Sequence, residues 1–479
     1  MQIWNETDVR IRFPVVWIAF LVVLNCDLQL LQSAVPDIRP EWAETLENGK
    51  RSIAEGRFSE AIAAFRRLKE IAPQDPQAYF FSGIAYAESG HLNAGAAELA
   101  EAVRLGPEQP EHALALGNVL ARLGQKRAAM RTLAVFDQES MLSRLSTANL
   151  SELMKVYFSL ERTSEALRLA DEISSRQPDY PRIDFYRAKI YKLAGNLDLA
   201  QQAIRLSLKA TPDNPADLFE LGKIHEQRGQ TAAAKSAFLE VLRHWPNDPE
   251  NLYALASACL SLDETDAAIE YLKRAEPSAV RLPKIYYALA QAFQKKGDNA
   301  TASHYLSLQR TVESRLAERQ KQIREQEEFL LNALAKERQE QRNAHAALAL
   351  WQQIVELNSN NWEAHQRLAE IYLSSEQWKQ ARVHLDRLQE MNPSSFEGNR
   401  LMADYLFLRE EYAQALSFAE RAKSSQPRNA ELRNLLGSVY LRLGQVQKAM
   451  EEYSSAVEYA PDRPDFRANL KTAQDLWKK

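Results

Sequence analysis

Between Pro215 and Asp248 the apolar positions fall into two helical runs separated by a turn. Leu218, Leu221 and Ile224 recur at the spacing that lines one helix face. Gly229 supplies a residue free to take the left-handed conformation that ends a helix. Thr231 is expected to cap a second helix, which carries Ala234, Ala237, Phe238, Val241 and Leu242 on one side. Pro246 stops it, because proline lacks a donor and clashes with the preceding turn. At Pro249, 34 residues after Pro215, the pattern begins again.

The template starts at positions 42, 76, 110, 147, 181, 215, 249, 283, 328, 362, 396 and 430. Position 8 of the repeat is glycine or alanine everywhere except Met154, and position 20 is always small, from Ala61 through Gly95 to Ala449. Small residues there let the two helices of a repeat cross closely. Position 15, the turn, is glycine in seven repeats, and these three positions together hold thirteen of the chain's fifteen glycines. Prolines at position 32, such as Pro73, Pro178 and Pro461, follow the second helices. Aromatic or branched residues fill positions 11 and 24, as in Tyr86 and Phe65. A residual segment, 464–479, is expected to cap the last repeat with Phe466, Leu470 and Trp477 turned inward.

Two stretches break the pattern. Three extra residues enter near Arg144–Ser146, and 45 residues separate the starts at 283 and 328. Neither glycine nor proline occurs from Asp298 to Asn392. The second helix of the eighth repeat is therefore expected to run on into the first helix of the ninth, over about 300–341. Such a helix is on the order of 60 Å long. Its segment 310–343 carries eight basic and seven acidic residues, with only Leu316, Ile323 and Leu330 repeating every seven. That stripe is too sparse for a coiled-coil seam and reads as a solvated spacer.

A 34-residue period with this content resembles the tetratricopeptide repeat family over about 42–463. The resemblance implies an all-α fold, a right-handed superhelical α-solenoid of helix–turn–helix units, here in two lobes joined by the long helix. The expected organisation is an N-terminal array at 42–310, a charged helical extension at 311–327, a C-terminal array at 328–463 and the capping helix.

The first residues differ in kind. Arg10 and Arg12 precede the apolar run Phe13–Leu24, and Ala34 follows. Twelve apolar residues are short for a membrane span, and the order of segments reads as a secretory signal over 1–34 or, if retained, a membrane anchor, with 35–41 as linker. Asn25, before Cys26, is not the small residue of a lipoprotein box. Export, to the periplasm, the cell exterior or the outer face of a membrane, is the expected localisation, with membrane attachment through this segment if it is kept.

Composition narrows the chemistry. A net charge of −4 and a pI near 6.2 lack the basic footprint of a nucleic-acid binder. Two cysteines, Cys26 and Cys259, make no disulfide framework, and Cys259 falls where a repeat packs. Eight histidines form no paired metal-ligand motif, and the glycines form no phosphate loop. No catalytic residue, metal or cofactor is expected, and the repeats leave no room for a catalytic domain.

What remains is a surface. In the family that the repeats resemble, positions 2, 5, 9 and 12 of the first helix line a concave groove that binds peptides or helices. Those positions place Phe185, Phe219, Tyr253 and Tyr287 beside Lys155, Lys189 and Lys223, with Phe158 and Lys192 adding to them. Lysines beside aromatic rings suit an acidic protein or peptide segment, since charge attracts it and ring faces anchor it. The resemblance thus implies a non-enzymatic protein-binding scaffold. The alternative is a glycan-contacting or regulatory subunit of an envelope polysaccharide or glycosyl-transfer complex.

Overall fold

The period becomes paired helices because its small and large positions interlock. In a computed structural model, which describes residues 39–340 and 343–478, there are 25 α-helices and no strand among the described residues. Helices begin at eight of the predicted starts, Pro76, Pro110, Thr147, Pro215, Pro249, Trp362, Phe396 and Ala430. The fold is an all-α solenoid of helix–turn–helix units. The signal or anchor read at 1–34, the linker before Arg39 and Cys26 lie outside the described residues.

A Cβ built on Gly222 would stand 2.4 Å from a ring carbon of Phe238, and one on Gly437 2.6 Å from Tyr453. Position 8 is therefore the socket for position 24 of the same repeat. The fourth repeat exchanges the sizes: Met154 at position 8 goes with Ala170 at position 24, and both are fully buried. Its departure from the pattern keeps the summed volume, which cores tolerate best.

The turns explain the missing glycines. Gly229 has φ +71°, and its neighbour Gln230 donates its backbone N–H to the His225 carbonyl at 2.9 Å, while Gly229 donates to Glu226 at 3.0 Å. This is the Schellman pattern, which needs a left-handed residue. Glu161, Asp263, Glu376 and Glu410 occupy the same position with φ between 56° and 63° and the same pair of backbone bonds. Four acidic residues thus accept a conformation that costs an L-residue roughly 1 kcal/mol.

Three local expectations are corrected. Thr231 does not cap: the cap position is Gln230, without a side-chain bond, and Thr231 opens the helix Thr231–His244. The insertion is not confined to 144–146. It shortens one helix to Lys126–Leu133 and refolds the chain as a 3-10 turn, Ala134–Asp137, and a short helix, Glu139–Ser143, burying Phe136 and Leu145. In the last helix, Pro464–Trp477, Phe466 is buried, but Trp477 is 57% exposed because its side chain falls on the outer face.

One helix runs from Asn299 to Glu340, and the chain divides into two compact units within it, between Ile323 and Arg324. No residue from Glu313 to Gln326 is buried, so this stretch stands in solvent. No helix among the described residues is long and apolar enough to cross a membrane.

The second unit holds a histidine pair. His365 Nδ1 and His384 Nδ1 lie 3.0 Å apart, and His365 Nε2 is 3.1 Å from the Ser359 carbonyl. A carbonyl only accepts, so His365 carries its hydrogen on Nε2 and His384 donates through Nδ1, with both rings neutral. Burial, and then the neighbouring His365, draw the His384 pKa down to about 4, and burial also lowers that of His365, with Arg387 adding to the effect. An unfolded histidine titrates near about 6.5. Because the folded value is the lower one, the stabilisation is complete above pH about 6.5 and is lost as pH falls from there through about 4. The urea midpoint of the second unit should fall over that window, and His384→Gln should flatten the fall. A midpoint independent of pH there would contradict it.

Candidate functional site

The expected groove residues lie in the first unit, on the first helices of the fourth to eighth repeats. Thr147–Ser159 presents Lys155 and Phe158, and Ile183–Leu193 presents Phe185, Lys189 and Lys192. Phe219 and Lys223 come from Pro215–Gln227, Tyr253 from Pro249–Ser261 and Tyr287 from Lys284–Lys295.

Three of these residues meet closely. Lys189 Nζ lies 5.4 Å from the ring centroid of Phe158 and 5.7 Å from that of Phe185, so the ammonium bridges two ring faces from adjacent repeats. Phe185 also takes the Arg182 guanidinium, 4.1 Å from its ring centroid. Arg182 itself is held at 2.7 Å by the buried carboxylate of Asp217, which also accepts from Ser207 at 2.5 Å. The two rings are only half-buried, packed at the edge of the core.

The other lysines are engaged within the chain. Lys155 pairs with Glu152 at 2.6 Å and lies 5.3 Å from the Tyr186 ring centroid. Burial opposes its charge, but the Glu152 carboxylate and Tyr186 outweigh burial and raise its pKa. Lys192 pairs with Glu220 of the next repeat at 2.6 Å, and Lys223 pairs with Glu226. Lys189 is the one member of this set with no carboxylate in ion-pair reach among the described residues.

The aromatic positions also divide. Phe219 packs against Phe238 at a centroid distance of 5.6 Å and serves the core as much as the surface. Tyr253 lies under Lys284 at 4.6 Å, and that ammonium is held by Glu250 at 2.6 Å. Tyr287 is 47% exposed. A surface of this kind offers ring faces and a single uncompensated ammonium, which suits anchoring a segment rather than bond chemistry.

Sequence reasoning missed Arg182 and the acids that neutralise three lysines. Glu152 with Lys155 and Lys223 with Glu226 stand three apart on one helix, a spacing that announces the pair. Lys192 with Glu220 spans two repeats, and only the register combined with helix packing reveals it.

Among the described residues, no group of three or more histidine, cysteine or carboxylate side chains is placed to hold a metal ion. Burial, and then Glu264, push the Cys259 thiol up to about 11, which leaves it an inert packing group.

Comparison with known proteins follows the same repeats. One model described as tetratricopeptide repeat matches residues 152–215 and 219–280. A second of the same description matches 338–405 and 406–472. Together they span more than half of the chain. No curated protein matches it.

Proposed function

Since this chain belongs to the tetratricopeptide repeat family, we propose that it is a non-enzymatic scaffold that holds an acidic segment of a protein partner against the fourth to sixth repeats. Repeats of this family generally serve protein–protein interaction. One observation carries the finer reading: the Lys189 ammonium between Phe158 and Phe185, without a carboxylate of its own. A partner carboxylate would complete that charge, and the half-buried rings would pack against its neighbouring side chains. Lys155, Lys192 and Lys223 then contribute less, because their own acids already satisfy them.

The test is crosslinking in native cells followed by mass spectrometry of the partners. Lys189→Glu should weaken capture by about tenfold, roughly 1.4 kcal/mol, and high salt should weaken it in the wild type. Lys223→Gln should change capture little. An unchanged partner set with Lys189→Glu would reject the site, and salt-independent binding of an oligosaccharide would favour the glycan-contacting reading instead. Export through residues 1–34 belongs to this proposal, supported by Arg10, Arg12 and the run Phe13–Leu24, and cell fractionation tests it separately.

A further inference from the structure

Three of the groove lysines carry a carboxylate of their own, and the three pairs differ in how readily they part. Glu152, which holds Lys155, keeps only 6% of its side chain exposed, and its Oε2 has no hydrogen-bond partner among the described residues. Glu220, which holds Lys192, keeps 7% exposed. Taking the lysine from either acid would strand a buried charge, which costs far more than a surface pair contributes. Lys223 and Glu226 differ: they stand three apart on one helix, with 35% and 37% of their side chains exposed. An exchange of partners there costs little, because water solvates each ion once the other leaves.

This pair also lies where the Lys189 site continues. Lys189 and Lys223 occupy position 9 of adjacent repeats, on the helices Ile183–Leu193 and Pro215–Gln227. Lys192 of the first helix reaches Glu220 of the second at 2.6 Å, so the two helices present neighbouring surfaces. Adjacent helix axes stand on the order of 10 Å apart, and an extended chain advances about 3.3 Å per residue. Two acids three residues apart in an extended segment therefore match the step from Lys189 to Lys223. Glu226 already sits at the second of these places.

We propose that Glu226 is an internal competitor that occupies Lys223 in place of a partner carboxylate, so that the site reads one acid rather than two. The inference rests on the Lys189 reading and adds its selectivity. A second partner acid arriving at Lys223 meets the charge of Glu226 and gains only by displacing it. Without Glu226 that acid would find Lys223 unclaimed, since Glu220, three residues before it, is held by Lys192.

Fluorescence anisotropy of the full chain with two peptides, each carrying a neutral amino-terminal dye, tests the proposal. Gly-Glu-Leu-Gly-Gln-Gly-amide has one acid, and Gly-Glu-Leu-Gly-Glu-Gly-amide has two. Wild type should bind the two within about twofold of each other. Glu226→Gln should bind the two-acid peptide about fivefold tighter than the other, and adding Lys223→Gln should erase that preference. Lys189→Glu should weaken both peptides in every background. Unchanged binding in Lys189→Glu, or no saturable binding of either peptide to wild type, would reject the site itself and the competitor with it. Weakened binding in Lys189→Glu together with equal binding of the two peptides by Glu226→Gln would overturn the competitor alone. A wild type that already prefers the two-acid peptide as strongly as Glu226→Gln does would also overturn it.

Discussion

Replacing Trp351 by alanine should lower the stability of the unit Arg324–Lys479 by about 4 kcal/mol, the usual range for emptying a site of this size. The indole is fully buried at position 24 of the ninth repeat, whose small position 8, Ala335, is also fully buried. Its ring nitrogen has no hydrogen-bond partner among the described residues, so the loss is one of packing. The cavity would lie where neighbouring helices are each held on their far sides and cannot collapse fully. Trp351→Phe keeps most of the contact and should cost about 1.5 kcal/mol. Urea unfolding followed by circular dichroism measures both. A loss below about 1 kcal/mol for the alanine variant would show that position 24 is not the wedge described above.

Gly95→Val should cost about 3 kcal/mol in the first unit, by overpacking rather than by a void. The second repeat carries glycine at both position 8 and position 20. A Cβ on Gly95 would stand 2.9 Å from the Gly83 carbonyl oxygen and 3.0 Å from the Ala87 nitrogen. These are backbone atoms that no rotamer change can move aside, so the helices Pro76–Glu88 and Leu92–Leu105 must separate. At Gly222 the obstacle is the Phe238 ring, which can rotate, and Gly222→Ala should cost less. Hydrogen exchange over residues 76–105 should report the loosening, and unaltered protection in Gly95→Val would contradict the close crossing.

The fold was legible because its contacts are written at fixed spacing. Gly222 and Phe238 stand sixteen apart in sequence and touch in space, and other repeats echo the pairing. The turn acids were not legible, since Glu161 and Asp263 carry no mark of a left-handed conformation. Nothing in the composition of 134–146 announced that an insertion would refold into two short helical pieces. Trp477 misled because a period of 3.6 fixes a face only when the helix is long enough to show where that face points. The candidate groove was legible in position but not in charge. The positions gave four lysines, and the neighbouring acids removed three from the count of available charges.

Helices in substantial contact within each unit are consecutive or next-but-one in the chain, apart from those flanking the short pieces at 134–143. The segments that must meet are thus always close along the chain, and little loop-closure entropy stands before each gain. Folding need not wait for distant segments to find one another. A repeat emerging during synthesis already has its predecessor to dock on, and each docked pair serves as the template for the next. The same locality makes a damaged repeat a place where growth stalls. Trp351→Ala and Gly95→Val should therefore slow folding most when the repeat they damage lies where growth begins.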